Sequence, residues 1–131
     1  MKKIILGLTV IMVAVLAIGC THSSPKSVAK AYLKAIQKKD AKKAADCFYY
    51  DKSKSKEDIE LAHKTMESMA EKSIKGVDEK GGIDSFNITN VEENGDKAVV
   101  KGTVKYGNGE EEEKNISTVK KDGKWYVDDS K

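Results

Sequence analysis

The pattern of apolar and polar positions changes twice along the chain. No charged residue occurs between Ile4 and Gly19, and apolar positions then recur at helical spacing as far as residue 75. From residue 84 onward, apolar and polar positions alternate. Spacings of three and four residues are typical of helices, and a spacing of two is typical of strands. We therefore expect an apolar leader followed by one α+β domain, with N-terminal helices packed on a curved antiparallel four-stranded meander.

Polar capping residues mark the start of three predicted helices. Ser24 precedes Pro25, Asp40 precedes a second short helix, and Ser55 with Asp58 begins a third. Each start is followed by apolar residues that we expect to face the core. In chain order these are Val28, Tyr32, Ala35 and Ile36; Ala41, Ala44, Ala45 and Phe48; and Ile59, Ala62, Met66 and Met69.

Three glycine-containing turns divide the second half into four predicted strands. Asn94-Gly95 predicts a type I′ hairpin, and further turns follow at residues 107–109 and at Asp122-Gly123. We expect one face of the second strand to be buried, together with Trp125 and Val127 of the last strand. Ile116 and Val119 break the alternation of the third strand, which predicts a bulge near residues 117–118.

The first twenty residues have the composition of an export signal. Lys2 and Lys3 precede an uncharged, mainly apolar stretch of fifteen residues, shorter than the roughly 20 that a membrane-spanning helix needs. The run ends in the letters LAIGC, which resemble the lipobox of bacterial lipoproteins. That resemblance implies cleavage after Gly19 and a diacylglyceryl group on Cys20. An uncleaved anchor and ordinary secretion are the alternatives.

These boundaries divide the chain into a signal peptide at 1–19, a lipidated cysteine with a short tether at 20–24, and a folded domain at 25–131. The expected location is the extracytoplasmic side of the cell membrane, held by diacylglyceryl-Cys20. If Cys20 carries a lipid, Cys47 cannot form an intramolecular disulfide. We then expect Cys47 to be a small buried hydrophobic residue.

Charge excludes one class of partner and suggests another. The 24 basic residues are all lysine, and the predicted mature chain has a balance near zero, so we expect no nucleic-acid binding. Residues 26–56 nevertheless hold ten lysines against three aspartates. Lys26, Lys30, Lys34 and Lys38 recur every four residues along one helix face. We hypothesise that this lysine stripe faces anionic headgroups; a solvated helix face is the alternative.

Two longer stretches carry a resemblance to a known fold. SPKSVAKAYLKAIQKKDAKKAADCF resembles the opening helical pair of the nuclear transport factor 2-like fold, and AVVKGTVKYGNGEEEEKNISTVKKDGKWYVD resembles its closing strands. Within that superfamily the chain is most similar to a small domain of uncharacterised function found on many bacterial lipoproteins. The resemblance implies a curved sheet wrapped around helices, forming a cone with an internal cavity. Members include enzymes, ligand-binding proteins and protein-interaction modules, so the fold alone sets no function.

We find no pattern that predicts catalysis. An isomerase or dehydratase on this fold would need an acid or histidine facing the cavity, with a hydrogen-bond donor beside it. His63 is a weak candidate, because it lies at the edge of the apolar stripe of the third helix and has no suitable partner three or four residues away. Asp46 and Asp84 could approach the cavity, but a solvated cap and a strand end are the better interpretation. The two histidines and two cysteines have no metal-ligand spacing, and we expect no metal and no cofactor. Alternation sends Glu110 to Glu113 to opposite faces of a strand, so they cannot all converge on one ion.

Aromatic side chains are the remaining candidates for binding. Tyr32, Met66, Tyr106 and Trp125 could line an interior ligand site, although side chains of this kind more often simply form the core. Tyr49 and Tyr50 could form a rim for a ligand or partner.

Three functions therefore stay open. A non-catalytic binding or interaction module of the cell envelope comes first, and a binder of a small apolar ligand second. An isomerase- or dehydratase-like enzyme is third. The predicted partners are the membrane, an envelope protein or a small apolar ligand, and a second copy paired through the sheet.

Overall fold

The structure, a computed structural model, describes residues 22–128 and contains three helices followed by four strands. The predictions for the signal peptide and for lipidation of Cys20 lie outside these residues. The helices are α1 (Pro25–Gln37), α2 (Ala41–Ala45) and α3 (Lys56–Asp78). The strands are β1 (Ile83–Asn94), β2 (Lys97–Tyr106), β3 (Glu111–Lys121) and β4 (Lys124–Val127). The α+β order predicted from the sequence is confirmed.

All three predicted helix caps form. The Ser24 Oγ accepts the Ser27 N–H at 3.0 Å, and the Ser55 Oγ accepts the Asp58 N–H at 3.1 Å. Asp40 accepts the Lys43 N–H at 3.1 Å. These bonds satisfy donors that the first turn of a helix leaves unpaired. Phe48, however, lies beyond the end of α2.

The sheet is an antiparallel meander in the order β1-β2-β3-β4. Alternate residues of β2 from Ala98 to Tyr106 are buried, as predicted. The predicted bulge in β3 is wrong, because its register with both neighbours is continuous. The inward position is occupied by Thr118, whose hydroxyl donates to the Ala98 carbonyl at 2.9 Å, while Val119 lies on the outer face. Register shifts occur instead in β1, between Ile83 and Ser85 and between Ile88 and Asn90.

The first hairpin turn lies one residue later than predicted. Asn94 pairs with Lys97 as a strand residue, so Gly95 and Asp96 form the turn. Gly95 has φ 66°, whereas Asp96 is not among the residues with positive φ, a pattern that fits type II′ rather than type I′.

The edge of β4 is covered by two other segments of the chain. The Trp125 N–H donates to the His22 carbonyl at 2.9 Å, and the Val127 N–H donates to the Cys47 carbonyl at 2.8 Å. Phe48 bridges Val127 in parallel orientation. The end of the predicted tether is therefore part of the fold, and this edge is not free to pair with another strand.

Buried apolar side chains form two clusters. The β4-side cluster consists of Val28, Cys47, Ala98, Trp125 and Val127. The α3-side cluster consists of Leu33, Ala35, Ile36, Ala44, Ala70, Ile83, Val104 and Tyr106. Tyr32 and Ile116 pack against both clusters. The inner face of the sheet thus carries two adjoining cores.

Cys47 is fully buried, as predicted, but its sulfur is disulfide-bonded and residues 22–128 contain no free cysteine. The expectation that Cys47 forms no disulfide, which was conditional on a lipid at Cys20, does not hold in this structure. Cys47 is the only cysteine in that range, and the chain contains one other, Cys20.

The apolar stripe of α3 has a different phase from the predicted one. Ala62 is exposed and Met69 is 50% exposed, whereas Ala70 is buried. The less exposed positions are Ile59, His63, Met66, Glu67, Ala70, Ile74 and Val77. This phase turns His63 toward the protein. None of the helices within residues 22–128 combines the length and apolarity needed to cross a membrane.

Candidate functional site

A cavity of about 230 Å³ lies between α1, α3 and the inner face of the sheet. Its walls include Leu33 and Ile36 from α1, Val77 from α3, and Val104 from β2. The other lining residues are Tyr32, Ser73, Ile83, Tyr106, Lys114, Asn115 and Ile116. Because apolar side chains predominate and polar groups are few, the cavity has the composition of a small-molecule site.

Tyr32 places one hydroxyl group at this cavity. Its pKa is raised by burial, an effect that a side-chain hydrogen bond with Ser73 partly offsets. The phenol therefore stays protonated at neutral pH and can both donate and accept a hydrogen bond.

Tyr106 places a second hydroxyl near the cavity, held by a charged partner. The Tyr106 hydroxyl donates to Glu112 Oε1 at 2.6 Å, because the two residues lie on the same face of adjoining strands. Burial first, and this hydrogen bond second, raise the pKa of Tyr106 to about 12. The same bond, together with Lys114, lowers the pKa of Glu112.

Two lysines complete this polar group. Lys114 Nζ lies 3.3 Å from Glu112 Oε1, and Lys114 also lines the cavity. Lys80 Nζ lies 4.0 Å from the same oxygen and 4.9 Å from the centre of the Tyr106 ring. The negative charge of Glu112 is thus balanced by neighbouring lysines. The polar groups at the cavity are therefore hydroxyl and ammonium groups rather than an isolated acid.

The lining of the cavity bears directly on the isomerase- or dehydratase-like alternative. Among the described residues that line the cavity, none is aspartate, glutamate, histidine or cysteine. Within residues 22–128, no group of three or more such side chains is arranged to hold a metal ion. The arrangement suits hydrogen bonding to a bound molecule, whereas an acid–base pair aimed into the cavity is not part of this lining.

The structure separates the predicted interior residues. Tyr32 and Tyr106 line the cavity, whereas Trp125 belongs to the β4-side cluster and Met66 is half-buried on α3 outside the lining. Trp125 is absent from the cavity because β4 ends the sheet on the side where His22 and Cys47 close the edge.

Tyr49 and Tyr50 lie on the outside of the cone, between α2 and α3. They border a surface pocket of about 290 Å³ together with Asp51, Lys54 and three residues of α3. The Tyr49 ring lies 5.3 Å from the Tyr126 ring, and Lys121 Nζ lies 5.7 Å from the Tyr49 ring. The four members of the lysine stripe are all exposed.

A neighbouring surface pocket of about 240 Å³ contains a pair of residues that sequence reasoning left apart. His63 Nε2 lies 2.7 Å from Asp46 Oδ1, across 17 residues of chain. The Tyr50 ring lies 5.4 Å from the His63 ring, and the Tyr50 hydroxyl donates to the Ala45 carbonyl at 2.7 Å. The remaining lining residues are Phe48, Lys52, Ile59 and Tyr126.

Two signals in the sequence could have found the missed groups. If the buried face of α3 is centred on Ala70 instead of Met69, His63 lies on the inward side of the helix, facing α2. Strict alternation through β3 places Glu112 and Lys114 on the face of Thr118, and therefore beside Tyr106.

Comparison with known proteins identifies the family. Residues 18–128 match the family described as "Domain of unknown function (DUF4878)". The chain belongs to this family. No curated protein matches the chain.

Solved structures share the fold of this DUF4878 chain. A "Putative NTF2-like transpeptidase" from Campylobacter jejuni is 24% identical, with a TM-score of 0.66 over 80% of this chain and 97% of that protein. A DUF4783 family protein from Bacteroides ovatus is 12% identical, with a TM-score of 0.52 over 81% of this chain and 90% of that one. A SEC-C motif containing protein from Rhodopseudomonas palustris is 17% identical, with a TM-score of 0.50 over 80% and 75%. The nuclear transport factor 2-like α+β fold inferred from the sequence is confirmed, and at these identities the likeness extends to the fold alone.

Proposed function

We propose that this DUF4878 chain is a lipid-anchored, non-catalytic binding protein of the cell envelope that holds a small, mainly apolar molecule inside its cone. The observation that carries the proposal is the cavity of about 230 Å³ at the α3-side cluster. A fully packed cone would have left only the outer surface for binding.

The volume of the cavity limits the ligand. An apolar cavity of about 150 Å³ binds benzene in a protein core, and sites for drug-sized molecules begin near roughly 300 Å³. A cavity of about 230 Å³ lies between these values and suits a ligand whose apolar part is a single ring or a short branched chain. Tyr32 and Lys114 would hydrogen-bond one polar group of that ligand.

The anchoring part of the proposal is supported by the sequence LAIGC and by the position of His22. His22 is held against β4, and Thr21 alone separates it from Cys20, so a lipid on Cys20 would begin within roughly 7 Å of the folded surface. A sulfur in a disulfide cannot also carry a lipid. Because the chain has two cysteines, a lipid on Cys20 requires that Cys47 form no intramolecular disulfide in the mature protein, unlike the disulfide-bonded Cys47 of this structure.

The ligand proposal is tested on the full chain, purified from its own host in maltoside detergent. We expect native mass spectrometry to detect a retained small mass and ligand-observed NMR to detect binding of p-cresol, a ring with one hydroxyl. Val77→Phe fills the cavity from α3 and should abolish both signals. Met69→Phe, on the exposed side of the same helix, should preserve them. Equal p-cresol binding by the two variants would place the ligand elsewhere and contradict the proposal.

The anchor is tested by growing the host with a labelled palmitate and isolating the chain. We expect label in the wild type and in Cys47→Ser, and none in Cys20→Ser. An intact mass that shows a Cys20–Cys47 disulfide and no lipid would refute the lipoprotein proposal while leaving the cavity proposal standing.

A further inference from the structure

We propose that the pocket lined by Asp46, Phe48, Tyr50, Lys52, Ile59, His63 and Tyr126 is a second binding site, for a small molecule or head group that carries both an ammonium and an acidic group. This zwitterion pocket lies on the outside of the cone and shares no lining residue with the interior cavity. The inference does not depend on the cavity proposal.

Asp46 provides the anionic partner for an ammonium group. Its side chain is 58% exposed and its Oδ1 is fixed by His63 Nε2, whose side chain is 30% exposed. The contact with His63 involves Oδ1, so Oδ2 of this exposed carboxylate remains available for an ammonium group. His63 is the ion-pair partner of Asp46 within residues 22–128, and no lysine of that range lies within ion-pair distance of this carboxylate.

Aromatic rings from separate segments form the walls beside this carboxylate. Phe48 and Tyr50 follow α2, and Tyr126 reaches the pocket from the outer face of β4. Tyr50 is held by its hydroxyl bond to Ala45 and by the His63 ring, and Tyr126 is held between the Tyr49 and His22 rings. Fixed aromatic faces attract ammonium groups because the ring quadrupole is negative above its plane.

Lys52 defines the second half of the ligand. It lines the same pocket, and no ion pair of Lys52 occurs within the described part of the chain. A cation alone would be repelled by this ammonium, whereas a carboxylate or phosphate on the same molecule would pair with it. The pocket therefore matches an ammonium and an acidic group joined by a short linker. A free zwitterion and an aminophospholipid head group share this chemistry.

The test uses the full chain in maltoside detergent and phosphoethanolamine as the probe, measured by isothermal titration calorimetry. We expect saturable binding, and much weaker binding of ethanolamine alone and of inorganic phosphate alone. Asp46→Asn and Lys52→Gln should each weaken the affinity for phosphoethanolamine at least tenfold. Asp84→Asn, an exposed aspartate on β1, is the matched control and should change nothing.

Several results would overturn the site. These are no saturable binding by the wild type, equal affinity in Asp46→Asn and Asp84→Asn, or equal affinity for inorganic phosphate and phosphoethanolamine. If Asp46→Asn lowers the thermal midpoint, Lys52→Gln carries the test, because its side chain lies on an exposed loop. Val77→Phe should not change this titration, so a failure here is separate from a failure of the cavity proposal.

Nanodiscs distinguish the two sources of the ligand. If the ligand is a lipid head group, phosphatidylethanolamine discs should suppress the heat of free phosphoethanolamine binding, whereas phosphatidylglycerol discs should not. Binding that persists in both discs indicates a free zwitterion. Either result supports the site, provided that the signal is lost in Asp46→Asn.

Discussion

The two clusters on the inner face of the sheet differ in how completely they are closed. In the β4-side cluster, Trp125 and Val127 pack against Val28 and Cys47, and none of its five buried members lines the interior cavity. In the α3-side cluster, by contrast, five of eight buried members line it. The same sheet therefore supports a closed core at one end and a cavity at the other.

The difference follows from what covers each end. At β4, His22 and Cys47 bond to the strand edge and draw the start of α1 and the end of α2 over Trp125. At the other end the cover is α3, along which Ala70 is the buried residue. A helix with half-buried Ile74 and Val77 does not fill the space above Tyr106. Packing density, and with it the capacity to bind a ligand, is set by the covering segments rather than by the sheet.

The largest expected effect is in the closed cluster. Trp125→Ala should lower the free energy of unfolding by about 3–5 kcal/mol, because it removes a large buried side chain and leaves a void. Urea unfolding followed by circular dichroism measures this, since the chain has no other tryptophan to report. Met69→Ala, at an exposed position, should stay within about 0.5 kcal/mol of wild type. A loss below about 1 kcal/mol at Trp125 would show that this cluster is not closed.

Between the two clusters, Gly102 tests how closely β1 and β2 approach. A Cβ at this position would lie 2.8 Å from the Asn87 carbonyl oxygen, so Gly102→Ala should cost about 1–3 kcal/mol of unfolding free energy. Gly76, within α3, has open space at its Cβ, and Gly76→Ala should stabilise by about 0.5–1 kcal/mol. Effects of the same sign for the two variants would contradict the described strand spacing.

Adding one methyl group to each cluster compares them directly. Val28→Ile enlarges a fully buried residue of the closed cluster and should cost about 1 kcal/mol or more. Val104→Ile makes the same change at the cavity, where the added methyl has room, and should be neutral or stabilise by up to about 0.8 kcal/mol. Both are measured by urea unfolding. Equal losses would indicate that the cavity is already filled or collapsed.

The smallest effect is expected at the polar side of the cavity and depends on pH. Because the folded-state pKa of Tyr106 is raised from 10.0 to about 12, its contribution to stability is complete below about pH 10 and declines as the pH rises toward 12. The lowered pKa of Glu112 acts at the other extreme: its contribution is present above the unfolded-state pKa and is lost as the pH falls.

Tyr106→Phe should remove this alkaline loss, while costing about 1 kcal/mol or less at neutral pH, since Glu112 is exposed and screened. Thermal midpoints measured from neutral to alkaline pH provide the check, with Tyr126→Phe on the outer face as the control. An unchanged alkaline loss in Tyr106→Phe would contradict the assignment to Tyr106.

Local signals in the sequence predicted much of the fold. The caps at Ser24, Asp40 and Ser55 were correct because capping depends on side chains three residues apart. Alternation in β2 was correct because burial on one face of a sheet enforces a period of two. The errors came where a polar residue was buried because it gained a hydrogen-bond partner on another strand. Thr118 takes an inward position because its hydroxyl donates to the Ala98 carbonyl, so β3 needs no bulge.

The candidate sites were less accessible from the sequence. Tyr32 and Tyr106 were recognised as inward-facing, but no pattern showed that Trp125 would pack elsewhere and leave the cavity open. The sequence gives no reason to pair Asp46 with His63, since neither has a local partner. The contact between them forms only when α3 folds back against α2 and sets the two side chains 2.7 Å apart.

By itself the sequence determined the order of the elements, the caps, the inward face of β2 and the family resemblance, because each depends on residues close together in the chain. The tertiary structure decided which cluster closes, where the cavity lies and which charged groups meet. Those outcomes depend on how α3 and the segments at His22 and Cys47 cover a sheet that is distant from them in sequence. Contacts between distant segments leave no regular spacing of apolar and polar residues in the sequence, so they cannot be predicted from such a pattern.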